Sequence, residues 1–246
     1  MRHTRFGLVE LDLLATHAGA AIPYPLTVPS FGRVPPEREV LFAAASETLT
    51  FRQLADANGP LGVAADLVTA LGRRRGTMDL VVRTATGALS AVAIVYGRSA
   101  LLCTQQDDGM VDVAKIPLSA VPTELMALIP ELAAAATIPV QLPAAAARAA
   151  GTADPHTLVR DHGGDPDELD ALTTLLTDVT AGGQLGATVT ARNGKDARTG
   201  AELCWLDTPT GRVRVTMPAT DGWLSVNPLS PNTLRSTAEE LAETLR

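Results

Sequence analysis

A chain of 246 residues can bury roughly 70% of the surface its unfolded form exposes, enough for one large core or two small ones. Its 46% hydrophobic and 19% charged content is that of an ordinary globular protein, and Arg, Asp, Gly or Pro breaks every apolar run before the ~20 residues that a membrane-spanning helix needs. A net charge of −7, with dispersed basic residues and only 3% aromatic content, argues against nucleic acid as a partner, because neither a basic footprint nor stacking platforms are present.

The N-terminus begins basic, yet Glu10 and Asp12 fall where a signal peptide needs its apolar stretch, so the expected compartment is the cytoplasm. Residues 6–18 read as a short extended or helical stretch, and prolines at 23, 25 and 29 predict an extended connection. Pro35 and Pro36, with Glu37 and Glu39 in the following turn, predict a helix start. A second helix is expected over 60–71, with Leu61, Ala64, Leu67, Val68 and Leu71 on one face. Gly72 would stop it, and Arg73, Arg74 and Arg75 would complement its C-terminal end. Runs at 78–83, 89–96, 100–104 and 110–115, separated by Gly87, Gly97 and Gly109, predict four strands joined by tight antiparallel turns. A helix from about Ser119 then carries Leu125, Leu128, Ile129 and Leu132 on one side.

The same order returns in the second half. Asp165, Pro166 and Glu168 form an N-cap, a first-turn proline and a capping-box acid for a helix bearing Leu169, Leu172, Leu176 and Val179, with Gly182 and Gly183 as its stop. Strands are expected at 185–192, 202–206, 212–217 and 223–226, and Ser230-Pro231 caps a last helix with Leu234, Ala238, Leu241 and Leu245 on one stripe. Pro-Leu-Ser recurs from Pro117 to Pro228 at an offset of 111 residues, and Gly-Arg from Gly97 to Gly211 at 114. Two near-equal offsets over a shared order of elements indicate a duplication. The fold class is therefore α+β: a pseudo-twofold pair of antiparallel sheets, joined into one, with helices around them. The whole chain, 1–246, reads as a single domain with halves of about 1–135 and 136–246.

Searching for chemistry returns little. No P-loop, GxSxG elbow or HExxH motif occurs, and Gly182-Gly183 precedes a strand where a dinucleotide fingerprint would have to follow one. His156, Asp161, His162 and Asp165 surround Gly163-Gly164 with spacing that suits a solvated turn better than a metal site. Asp107 and Asp108 precede Gly109 as turn residues. Cys103 and Cys204 read as reduced, buried thiols. No catalytic, cofactor or metal site is expected. Trp205 and Trp223 read as sheet-packing residues, with partner contact as the alternative. On 185–192 and 212–217, apolar residues alternate with Thr188, Thr190, Arg192, Arg212, Arg214 and Thr216, which predicts one polar, Arg-bearing sheet face.

The stretch from Trp205 to Arg212, with Asp207-Thr208-Pro209 and Gly211 inside it, leads to Asp221-Gly222-Trp223 and a Leu-rich terminal helix. Together with Pro23-x-Pro25-Leu26-x-Val28-Pro29-Ser30, these resemble EspG proteins, secretion-associated proteins of the actinobacterial type VII (ESX) system. The resemblance follows the order of elements along nearly the whole chain. It implies an EspG-like pseudo-twofold α+β fold and a cytosolic chaperone that binds the helical tip of PPE proteins in PE–PPE pairs, keeps them soluble and directs them to export. It also implies contacts through the sheet, a hairpin loop and second-half helices. The positions in this sequence that fit such contacts are Arg192, Arg214, Thr86 on the short 84–87 hairpin, and Trp223. Two alternatives are a small-molecule enzyme built on Asp161, His162 and Arg192, and a self-associating scaffold that pairs its polar sheet face.

Overall fold

The structure, a computed structural model, describes residues 3–149, 151, 154–191, 193–218 and 220–246. The chain opens with strand β1 (Thr4–Gly7) and helices α1 (Leu8–Ala18) and α2 (Pro35–Phe51). A small hairpin, β2 (Ala55–Asp56) and β3 (Gly59–Pro60), leads into α3 (Gly62–Gly72). Four strands follow, β4 (Gly76–Thr84), β5 (Gly87–Tyr96), β6 (Ser99–Gln105) and β7 (Met110–Pro117), and then the short helix α4 (Val121–Met126). The second series comprises β8 (Val140–Pro143), α5 (Ala144–Arg148), α6 (Pro155–Asp161), α7 (Pro166–Leu176), β9 (Ala181–Thr190), β10 (Asp196–Thr208), β11 (Gly211–Thr216), β12 (Trp223–Pro228) and α8 (Pro231–Glu243).

All strands but the small hairpin form one ten-stranded antiparallel sheet, ordered β1-β7-β6-β5-β4-β9-β10-β11-β12-β8. Counted outward from the β4–β9 junction, β5 answers to β10, β6 to β11, β7 to β12 and β1 to β8. The helices fall in matching places, α3 and α7 before the junction strands, α4 and α8 after the last long ones.

Residues paired across strands point to the same side of a sheet. On the back face Met78, Leu80, Leu185, Ala187, Leu203 and Trp205 pack under α4 and α8. Helix α8 contributes the predicted stripe, Leu234, Ala238, Leu241 and Leu245, all buried, and each leucine buried there is worth about 1.5–3 kcal/mol. Its cap forms as expected, with Ser230 accepting from Thr233 N at 3.1 Å. The front face of the first half packs Val92, Ile94, Leu101, Cys103, Val111 and Val113 beneath α1 and α3. At the far edge of the second half, Val140, Leu142, Val213, Leu224 and Val226 make a third cluster with Val159 of α6, and α7 leans on it through Leu169, Leu172 and Leu175.

Several expectations need correction. Residues 6–18 are both things at once, the end of β1 and then α1, and the proline connection bends at Leu26, whose N–H donates to Pro23 O at 3.2 Å. Leu61 caps α3 and is 41% exposed, so it lies off the buried face. The helix from Ser119 is cut to α4; beyond Pro130 the chain bridges to β11, Ala133 O accepting from Arg212 N at 2.8 Å. Helix α7 ends at Leu176, leaving Val179 40% exposed, and Gly182 and Gly183 lie inside β9 instead of stopping a helix. Glu168 does not close a capping box: its carboxylate accepts from Gln141 N on β8. Helices α5 and α6, strand β8 and the β2–β3 hairpin add to the expected elements: Asp154 caps α6 ahead of Pro155 by accepting from Thr157 N at 2.9 Å, and Asn58-Gly59 lies at the turn of the small hairpin. The single Arg-bearing face does not exist either. Trp205 pairs with both Gly183 and Arg214, so the arginines of β11 share the side of Leu185, while Thr188 shares the side of Val213. Helices cover opposite faces at the middle and at the edge of the sheet, so the two strands' alternations are out of phase.

Candidate partner-binding cleft

On the front face, between α7 and the β4–β5 hairpin, an open cleft of about 880 Å³ remains. Its floor is β9 and β10 with the neighbouring end of β11: Gly182, Gly183, Gln184, Cys204, Leu206 and Val215. Val81, Arg83 and Ala85 form one wall, and Val179 and Thr180 close the other. The two glycines are structural. A Cβ at Gly183 would overlap the indole of Trp205, which crosses the strand on the back face, and one at Gly182 would stand 3.0 Å from Trp205 O and 3.1 Å from Leu206 Cδ2. Glycine at 182 adds no side chain to the floor of the cleft, and glycine at 183 leaves room for the indole behind it.

Just beyond the cleft the same face carries a charged cluster. Asp79, 1% exposed, takes both arms of Arg198, with Nη2 to Oδ2 at 2.9 Å and Nη1 to Oδ1. Arg198 Nε donates to Glu202 at 2.6 Å, and Gln184 Nε2 donates to the other Glu202 oxygen at 2.8 Å. Arg198 reaches Asp79 by crossing β9 at Gly186, where any Cβ would collide with the guanidinium. Burial pushes the Asp79 carboxyl above its ordinary range, against the pull of Arg198. Arg83, by contrast, lies exposed on the wall of the cleft and makes no side-chain hydrogen bond or ion pair among the described residues.

The residues singled out from sequence are scattered. Thr86 is exposed at the tip of the β4–β5 hairpin, beside the cleft wall and over a hollow of about 400 Å³ that also touches Leu128 and Pro130. Arg214 stands on the back face, half-buried, with its Nε buried and without a hydrogen-bond partner. Trp223 opens β12 on that face, at the end of the sheet away from Thr86, and is 49% exposed. Arg192 lies outside the described residues. Arg83, Leu206 and Val215 line the cleft without any local sequence signal, because a strand residue carries no mark of whether a helix will cover it.

Several of the other polar residues have local partners, whereas the Trp205 indole nitrogen is buried without one. Arg212 is 2% exposed and forms a buried pair with Asp207, at 2.6 and 2.9 Å, while also donating to Pro130 O at 3.0 Å. His156 Nε2 meets Asp170 at 2.8 Å, His162 caps α6, and Asp165 accepts from Asp167 N. Among the described residues no group of three or more His, Cys, Asp or Glu is placed to hold a metal ion. Asp107 accepts from Ala88 N, and Asp108 from Met110 N. Both cysteines are free: Cys103 is fully buried, which pushes its thiol up to about 12, and Cys204 is half-buried in the cleft floor. No helix among the described residues is long and apolar enough to cross a membrane.

A helix-flanked antiparallel sheet with an open, mostly apolar cleft on its front face defines a protein of the α+β class. The EspG family model matches residues 8–240, and the chain belongs to the EspG family. The fold is similar to that in a structure of the Mycobacterium tuberculosis type VII secretion system chaperone EspG5 in complex with a PE25–PPE41 dimer, with a TM-score of 0.71 at 14% identity over 100% of this chain and 97% of that one. No curated protein matches the sequence.

Proposed function

We propose that this protein is a cytosolic chaperone of type VII secretion, which binds a PE–PPE-type pair, keeps it soluble and hands it to the export machinery. Membership of the EspG family supports the reading, as does the likeness of fold to a chaperone that binds PE25–PPE41. The observation that carries it is the cleft: about 880 Å³ of mostly apolar, half-buried sheet surface that neither flanking helical layer covers. Apolar surface of this kind, left open on a folded chain, marks a site for another molecule. Covering the sticky end of a client stabilises its folded form by mass action, and selection among clients comes from shape and charge at the rim. The job needs no bond made or broken, so the reading assigns no enzymatic activity. The matching order of strands about the β4–β9 junction supports reading the chain as one domain of two halves, about 1–135 and 136–246. Thr86 is retained as a rim residue; Arg214 and Trp223 face away from the cleft and would have to serve a different contact.

Co-expression with PE–PPE-type pairs from the same genome, followed by size-exclusion chromatography, tests the proposal. A soluble complex containing this chain and one pair is expected; failure with every encoded pair would refute the assignment.

A further inference from the structure

The front face is covered differently in the two halves. In the first, α3 lies across β5, β6 and β7 and buries Ala64, Leu67, Ala70 and Leu71 against the sheet. Beneath it Val92, Ile94, Leu101 and Cys103 are each at most 1% exposed. Those four residues stand 112 positions before Cys204, Leu206, Val213 and Val215. The second quartet sits on the matching strands, β10 and β11, points to the same face and is again wholly apolar. Its cover is missing. Helix α7, which precedes β9 as α3 precedes β4, packs on α6 and β8 instead and buries no residue fully. Val213 is closed off at 0% exposure, but Cys204, Leu206 and Val215 remain half-buried in the floor of the cleft.

We infer that the cleft is the second half's counterpart of the α3 seat, and that a partner's amphipathic helix lies across β10 and β11 as α3 lies across β5 and β6. The inference rests on reading the cleft as the client site, and it specifies what the client presents: a helix whose buried face alternates small and large apolar residues, as Ala64, Leu67, Ala70 and Leu71 do. Polarity follows from the same correspondence. Helix α3 ends beside the first residue of β4, Gly76, and the matching end of the second half is Ala181, where β9 begins opposite Thr84. Arg83 points to the front face at that end, unpaired among the described residues. A helix seated with the polarity of α3 therefore brings its unsatisfied C-terminal carbonyls to a free guanidinium, which is the favourable sign of the helix dipole.

The experiment uses the full chain, alone and in complex with whichever PE–PPE-type pair co-elutes with it. Labelling by N-ethylmaleimide, read by mass spectrometry, compares half-buried Cys204 with fully buried Cys103 as the internal control. With the pair present at about ten times its dissociation constant, labelling of Cys204 should slow about tenfold. Unchanged labelling in a complex that still co-elutes overturns the inference and leaves the chaperone assignment standing; absence of any complex removes both. Protection of Cys204 in the isolated chain at high concentration assigns the seat to a second copy and likewise overturns it. For polarity, a photo-crosslinker on Ala85→Cys in a Cys204→Ser background should capture the C-terminal end of a client helix, and capture of an N-terminal end refutes the stated orientation. Arg83→Glu should weaken the complex about two- to fivefold, the size of a dipole contact. Val215→Arg, which fills the seat, should weaken it more than Arg83→Glu while leaving the circular dichroism spectrum unchanged, and an unaffected complex counts against the seat.

Discussion

The indole of Trp205 lies across the backbone of Gly183, its opposite number on β9, so closely that the ring occupies the place a Cβ would take. Trp205 is 2% exposed and belongs to the largest cluster of the core, so it has nowhere to retreat. Gly183→Ala should therefore destabilise the chain by about 1–3 kcal/mol, the range for overpacking a tight site. In a Trp205→Phe background, where the six-membered ring of the indole is gone, the same substitution should cost less. Urea midpoints of the four proteins, arranged as a double-mutant cycle, measure the coupling.

The Asp79–Arg198 pair should respond unequally to losing either member. Arg198→Met leaves a carboxylate that is 1% exposed without its partner, a change worth about 3 kcal/mol for a buried charge. Asp79→Asn leaves Arg198 still bonded to Glu202 at 2.6 Å and partly in water, so about 1 kcal/mol is expected. The pH dependence separates the two. Burial raises the Asp79 carboxyl in the folded chain, and without Arg198 the main opposing pull is gone. A raised folded value gives stability that is present below the unfolded carboxylate pKa, about 3.9, and is lost as pH rises through the folded value. The deficit of Arg198→Met relative to wild type should thus shrink as pH is lowered from about 7 to about 5, and a deficit that does not change would contradict the account.

Strand β8 is an outer strand of the sheet, and Glu168 of α7 occupies its free edge by accepting from Gln141 N at 2.5 Å. The opposite edge is treated the same way: Gly7 N donates to Glu10 at 2.8 Å, and Arg52 donates to Arg5 O. Unpaired edge groups invite pairing between molecules. Glu168→Ala should raise the concentration-dependent light scattering of the purified protein and speed exchange of the Gln141 amide, with little change in helix content.

Acid should loosen β1 before the core. Arg5 and Asp112 face each other in the β1–β7 register and form a two-pronged pair at 2.9 and 3.0 Å. The hydrogen bond from Arg5 holds the Asp112 carboxyl below its ordinary range. A lowered folded value gives stability that is present above the unfolded pKa and lost as pH falls through the folded one. Amide exchange in β1, corrected for intrinsic rate, should accelerate below the ordinary carboxylate range in the wild-type chain, and Asp112→Asn should remove that acid-dependent part.

The elements themselves were legible wherever a short-range signal decided them. The runs of β5, β6 and β7 between Gly87, Gly97 and Gly109, the serine cap and leucine stripe of α8, and the aspartate cap of α7 each depend on contacts within a few residues, so most of the order of elements and the family resemblance could be read from the chain by itself. Where each strand's two sides would lead could not. Gly182 and Gly183 are strand residues through their pairing with β4 and β10, an indole 22 positions away fills the place of a Cβ at Gly183, and Arg198 is held by an aspartate 119 residues distant. Arg212 looked like part of a polar surface and is a buried ion pair. The cleft exists because α7 settles on α6 and β8 instead of on β10 and β11, a choice that depends on the packing of the second-half helices against one another. Alternation along a strand states that two faces differ; only the three-dimensional arrangement decides which face a helix covers and which one it leaves open.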